Sequence, residues 1–156
     1  MKINVVCVGN IKEKYFSQAI DEYVKRLSRF HQVEIIEVLE EKMPKNYSNA
    51  DIDKVKEKEC KALEDKFKGY VIVLDERGEQ FQSKKMAENL TKISLNNSTI
   101  TFVIGGSWGL TDKIRNKANL LLSFSKFTFP HQLMRVVLLE QLYRLTTIIN
   151  NVPYAK

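Results

Sequence analysis

Residues 100–110 read I-T-F-V-I-G-G-S-W-G-L, an apolar run that stops at two glycines and meets a third three residues later. A strand with one wet face alternates apolar and polar side chains. A run this continuous fits a strand buried on both faces, as in an all-parallel sheet. The same pattern recurs outward at residues 70–74 (Y-V-I-V-L), 3–8 (I-N-V-V-C-V, closed by Gly9), 33–39 (V-E-I-I-E-V-L) and 120–124 (L-L-L-S-F). Helical periodicity fills the gaps. Phe16, Ile20, Tyr23, Leu27 and Phe30 recur at three and four residues and share one helical face. Residues 40–49, with Pro44 and Asn46, read as a loop, after which Ser48 and Asp51 have capping-box spacing and open a second helix reaching about Phe67. Ser83 is placed to cap a third helix carrying Met86, Leu90 and Ile93. A short helix over 112–117 and a long one over 130–149 complete the chain. Strict alternation predicts one α/β domain over residues 1–156, a parallel sheet flanked by helices on both faces. No internal repeat, low-complexity tract or flexible linker marks a second domain.

Composition narrows the function classes. No run approaches the ~20 apolar residues a membrane helix needs, and Lys12, Glu13 and Lys14 interrupt what would be the core of a signal peptide. A cytoplasmic protein without membrane association is expected. Cys7 and Cys60 stand alone, with neither metal-ligand nor disulfide spacing, so no metal is expected. Cys7, inside an apolar run, reads as core. Lys and Arg outnumber Asp and Glu by 25 to 19, giving +6, which permits a polyanionic partner such as RNA but also serves plain solubility. The charges of the second helix read as a solvated face, with some lysines as alternative RNA contacts.

In parallel sheets ligands bind outside the carboxyl ends of the strands. Three strand ends carry chemistry: L-D-E-R-G at 74–78, I-G-G-S-W-G at 104–109 and S-F-S-K-F-T-F-P-H at 123–131. The glycines let the backbone approach a ligand closely, or merely make a tight turn. They match neither the dinucleotide fingerprint nor a phosphate loop. The aromatic loop before Pro130 suits a flat heteroaromatic ring such as adenine, or else its phenylalanines fill the core. His131 starts a helix, where the positive dipole end favours neutral imidazole. That leaves it a candidate proton acceptor, with a capping or packing role as the alternative. His31, at the end of the first helix, reads as a surface residue. The final helix is apolar over more than one stripe, which predicts self-association, with Arg135, Glu140 and Arg144 facing the site or the partner.

The segments I-G-G-S-W-G-L at 104–110 and S-F-S-K-F-T-F-P-H-Q-L-M-R-V-V-L-L-E-Q-L-Y-R at 123–144 resemble the RlmH family of SPOUT methyltransferases. V-G-N-I-K-E-K-Y at 8–15, K-E-K-E at 56–59 and L-D-E-R-G at 74–78 extend the resemblance over the whole chain. It implies a C-terminal trefoil knot (the α/β knot of SPOUT proteins), a homodimer, and S-adenosylmethionine-dependent methylation of N3 of a pseudouridine. The target is the helix 69 hairpin of 23S rRNA in the assembled 70S ribosome. It also implies cofactor contacts at Leu74, Gly105, Gly106, Phe124, Ser125, Lys126, Phe127, Thr128 and Phe129. One departure stands out: the family commonly ends Tyr-His-Arg or Tyr-His-Lys, whereas this chain ends Tyr154-Ala155-Lys156. The catalytic candidates are therefore His131 as base, Arg135 on a phosphate or the developing imide anion, and Tyr154 and Lys156 in the tail. The altered tail also admits a rival, a ribosome-binding or assembly factor with weakened turnover.

Overall fold

The computed structural model describes residues 1–155; the tail candidate Lys156 lies outside the described residues. Five strands and five helices alternate: β1 (Lys2–Val8), α1 (Lys14–Leu27), β2 (Gln32–Val38), α2 (Asn49–Glu64), β3 (Tyr70–Glu79), α3 (Ser83–Asn96), β4 (Thr99–Ile104), α4 (Asp112–Lys117), β5 (Leu120–Leu122) and α5 (His131–Ile149). The sheet is parallel throughout, in the order β2-β1-β4-β3-β5. β1 and β4 are its most deeply buried strands. Period-two alternation divides the side chains between two cores. Ile3, Val5, Cys7, Ile72, Ile100, Phe102 and Ile104 pack under α1, α3 and α5, while Val6, Val8, Val71, Val73 and Val103 pack under α2 and α4. Continuous apolar runs thus mark a sheet covered on both faces, as expected.

The differences from the expected elements are local and have steric or hydrogen-bonding causes. β3 continues past Leu74 to Glu79, with a register shift against β5 between Leu74 and Glu79. The shift depends on Gly78, where a Cβ would stand 2.6 Å from the Leu121 backbone. β5 ends at Leu122 rather than at 124, because the Ser123 N–H turns to Glu79 O and its hydroxyl donates to Ser125 O. α1 stops at Leu27; the N–H groups of Phe30 and His31 both return to Leu27 O. Ser48 and Asp51 do form a reciprocal capping box. Ser83 does not cap α3: it is the first helical residue, after Gln82, which makes no side-chain cap bond. His31 is half-buried rather than a surface residue, its Nε2 3.1 Å from Thr146 Oγ1. Cys7 and Cys60 are both buried free thiols. Among the described residues no helix is long and apolar enough to cross a membrane.

The first turn of α5 is locked onto the sheet by one buried cation. Arg135 is 1% exposed. Its Nη1 donates to Glu37 Oε2 at 2.5 Å, and its Nη2 donates to Val8 O at 3.0 Å and Gly9 O at 2.5 Å. One guanidinium thereby ties the carboxyl ends of β1 and β2 to the helix that carries His131. Arg135→Met keeps an unbranched apolar stem and loses all three bonds. It is expected to lower unfolding free energy by about 3 kcal/mol in urea titration, because two buried carbonyls and the Glu37 carboxylate lose their partner.

Candidate active site

Three chain segments converge at the carboxyl end of the sheet around a cavity of about 840 Å³. Leu74, Asp75 and Glu76 enter where β3 diverges from β4, Gly105 to Leu110 follow β4, and residues 124–130 follow β5. His131 and Met134 close it from α5, and Arg115 from α4. Every cofactor position expected from the sequence lines this cavity except Lys126, which is exposed at the tip of the loop. Phe124 is half-buried and packs against the core, whereas Phe127 is 82% exposed, so the aromatic loop does not simply fill the interior.

The glycine turn is a rigid wall. The Gly109 N–H donates to Gly106 O at 3.1 Å, and Gly109 adopts a φ of +91°, where a side chain would be strained. A Cβ on Gly105 would stand 2.8 Å from Leu110, and one on Gly106 would stand 2.8 Å from the carboxylate oxygen Oε1 of Glu59. Trp108 meets the edge of Tyr47 at 5.1 Å between ring centroids. Close packing thus favours glycine at 105 and 106, and backbone conformation requires it at 109.

Charge at the site comes from Asp75, in a strand end that sequence reasoning selected without giving it a role, and from Arg115, which it did not select. Asp75 is buried beside Leu74; its Oδ2 accepts from Arg115 Nε and its Oδ1 from the Arg77 N–H at 2.9 Å. Burial pushes its carboxyl up, but the Arg115 and Arg77 bonds outweigh that and hold it below the usual carboxylate range. An acid directly after an apolar run was a visible signal. Its partner, forty residues away, was not.

His131 is half-buried in the cavity wall. Burial depresses its pKa, Arg135 and Lys12 reinforce the effect, and Glu40 opposes it. The shift favours neutral imidazole, the form the sequence suggested from the helix dipole, and burial is its largest cause. Two other candidates are relocated. Arg135 cannot meet an external phosphate, because its guanidinium is buried against Glu37 and the end of β1. Tyr154 does not line its own chain's cavity: its hydroxyl donates to Glu140 Oε2 at 3.0 Å, nine residues beyond His131 on α5. Burial, with Tyr23 and Glu140 beside it, pushes the phenol well up, so it acts as a donor and not as a proton acceptor. Arg144 pairs with Glu140 at 3.1 Å and stands over the Tyr154 ring at 5.3 Å.

The cavity fits S-adenosylmethionine. Its volume lies within the ~300–1,000 Å³ of small-molecule pockets, and Leu74, Ile104, Leu110, Leu122 and Met134 offer an apolar slot for a flat ring. Arg115 neutralises buried Asp75, so the acidic group left for a positively charged ligand is exposed Glu76. Among the described residues there is no cluster of three or more potential metal ligands.

Comparison with known proteins agrees with this geometry. A family model described as "Predicted SPOUT methyltransferase" matches residues 1–155. The chain is 49% identical to "Ribosomal RNA large subunit methyltransferase H" of Streptococcus uberis and 48% identical to the protein of that name from Lactobacillus johnsonii, in each case over the full length of both chains. A solved structure, that of a probable methylase family protein from Haemophilus influenzae, superposes with a TM-score of 0.53 at 14% identity. That match covers 99% of this chain and 70% of the other, and is a likeness of fold.

The two histidines share a sign that proton NMR can read. Burial lowers both folded-state pKa values, so the native state binds fewer protons than the unfolded chain once pH falls below ~6.5. Both imidazoles are expected to stay neutral at pH 7, and stability is expected to be lost as pH drops through that window. Replacing both His31 and His131 by Gln should flatten this limb.

Proposed function

The chain belongs to the SPOUT methyltransferases, and to the RlmH family within them. On that premise we propose that it transfers a methyl group from S-adenosylmethionine to N3 of a pseudouridine in helix 69 of 23S rRNA, acting in the cytoplasm on the assembled ribosome. The observation that carries this reading is the convergence of Leu74, the glycine turn and residues 124–129 on one cavity at the sheet's carboxyl end.

When bound, the cofactor supplies an electrophilic methyl on a sulfonium. The apolar slot and the glycine turn hold it in one orientation, so alignment with the acceptor nitrogen provides much of the rate. Asp75, kept ionised by Arg115, fixes the chain after Leu74, and exposed Glu76 is the carboxylate that faces a cationic ligand. His131, neutral and in the cavity wall, accepts the N3 proton directly or through a water. Arg135 is a positioning residue: one helical turn after His131, it fixes the imidazole's height above the sheet through Val8, Gly9 and Glu37.

The partner implied besides RNA is a second copy of this chain. Leu133 and Val137 on α5 are only half-buried within one protomer, and exposed Phe127 and Phe129 lie close in sequence to that stripe. Pairing through it doubles the +6 charge presented to RNA. It also gives Tyr154, Glu140 and Arg144 a place, as the tail cluster that completes the partner's cavity, with Glu140 holding the Tyr154 hydroxyl and Arg144 the cation left to meet the RNA. The trefoil knot belongs to the same proposal. The return of the chain from edge strand β5, to pack α5 on α1 and α3, supports it.

Three measurements test the reading. Labelled methyl should pass to ribosomes lacking the modification and appear at N3 of the helix 69 pseudouridine, whereas binding without transfer would favour the assembly-factor alternative. His131→Ala is expected to cost on the order of 10²-fold in single-turnover rate, and an unchanged rate would remove it from the mechanism. In light scattering the protein should run at twice the 18.1 kDa chain mass, with Val137→Glu shifting it to monomer and abolishing transfer.

A further inference from the structure

Most charged side chains of α2 are solvated, as its sequence suggests, but Glu59 is 2% exposed. Its Oε2 accepts the Glu41 N–H at 3.0 Å. Its Oε1 is buried without a hydrogen-bond partner and lies against Gly106, where a Cβ would stand 2.8 Å away and could enter only by displacing it. The charges that reach the carboxyl are those of Glu40 and Glu41 on the loop after β2; the glycine turn and Val8, which also lie against Gly106, carry none. Burial therefore pushes the Glu59 carboxyl up, and its two acidic neighbours add to the effect. An apolar residue would be the more stable choice at such a position. The next residue of α2, Cys60, places its Sγ 3.9 Å from Gly109 O, so consecutive side chains abut both ends of the same turn.

We infer that Glu59 is a positioning residue for the cofactor wall, its carboxyl clamping Gly106 from behind while anchored to the Glu41 backbone. Gly106 lines the cavity and Glu59 does not, so the carboxyl acts through the turn and touches no ligand. The inference rests on the reading that the cavity holds S-adenosylmethionine. It accounts for two otherwise separate features: a side chain of this length buried between the Glu41 N–H and the turn, and a glycine whose Cα faces it. Shape and an acceptor for the Glu41 N–H are what the clamp needs, and glutamine supplies both.

The test compares wild type, Glu59→Ala and Glu59→Gln as full chains. It uses calorimetric binding of S-adenosylmethionine, hydrogen exchange at residues 105–109 without cofactor, and methyl transfer resolved into KM and kcat. Glu59→Ala is expected to weaken cofactor binding about tenfold and to raise its KM while kcat at saturation changes little. Exchange should quicken at the glycine turn before it does elsewhere, and Glu59→Gln should recover both affinity and protection. Wild-type affinity in Glu59→Ala, or a Glu59→Gln as impaired as the alanine variant, overturns the inference. If Glu59→Ala does not fold, Glu59→Asp, which withdraws the carboxylate from Gly106 by one carbon, must show the same local loosening or the inference falls. Faster exchange at 105–109 in a protein whose wild type binds no cofactor would sink the cofactor reading and leave the clamp standing.

Discussion

The guanidinium of Arg135 is the constraint on which the active end of this molecule depends. It is a cation taken wholly out of water, a state that is costly unless its donors find strong acceptors. It finds them in the Glu37 carboxylate and in two carbonyls at the end of β1. β1 lies between β2 and β4, so the lock ties α5 to a strand paired on both sides and, through Glu37, to the edge strand β2 beside it. His131 lies one turn earlier and Met134 immediately before, and both take their positions in the cavity from it.

Around that fixed helix the cavity is assembled from loops rather than from regular elements, as is usual where a rigid scaffold presents chemistry. Each loop has its own restraint. The glycine turn is closed by its own hydrogen bond and backed by Leu110, Glu59 and Tyr47. The stretch after Leu74 is held by Asp75 and its two arginine contacts. The loop after β5 is held by Ser123 and Ser125, whose hydroxyls bond to Ser125 O and to the Phe127 N–H. Short-range bonds of this kind keep an open pocket's shape without a ligand to organise it.

Several side chains change meaning once placed. Arg135, Glu140 and Arg144 look alike in sequence, three charges interrupting an apolar helix. Folding buries the first against β1 and sets the other two together beneath Tyr154. Glu59 is one charge among many in α2 until the glycine turn closes over it. His31 pairs with Thr146, 115 residues away. Such roles depend on contacts between segments distant in the chain, and no local pattern encodes which partner a charged side chain will meet.

What the sequence determined by itself was the alternation of strands and helices, the parallel sheet with two covered faces, the capping box at Ser48 and the three strand ends whose loops line the cavity. Each of these follows from periodicity or from backbone demands that act within a few residues. The exact strand ends escaped it, because Gly78 and Ser123 act through partners on neighbouring strands. The tertiary structure alone decided which acids and bases are buried, which of them are paired, and which face the cavity. Desolvation and ion pairing depend on three-dimensional neighbours, and these set the neutral state of His131, the ionised state of Asp75 and the structural role of Arg135.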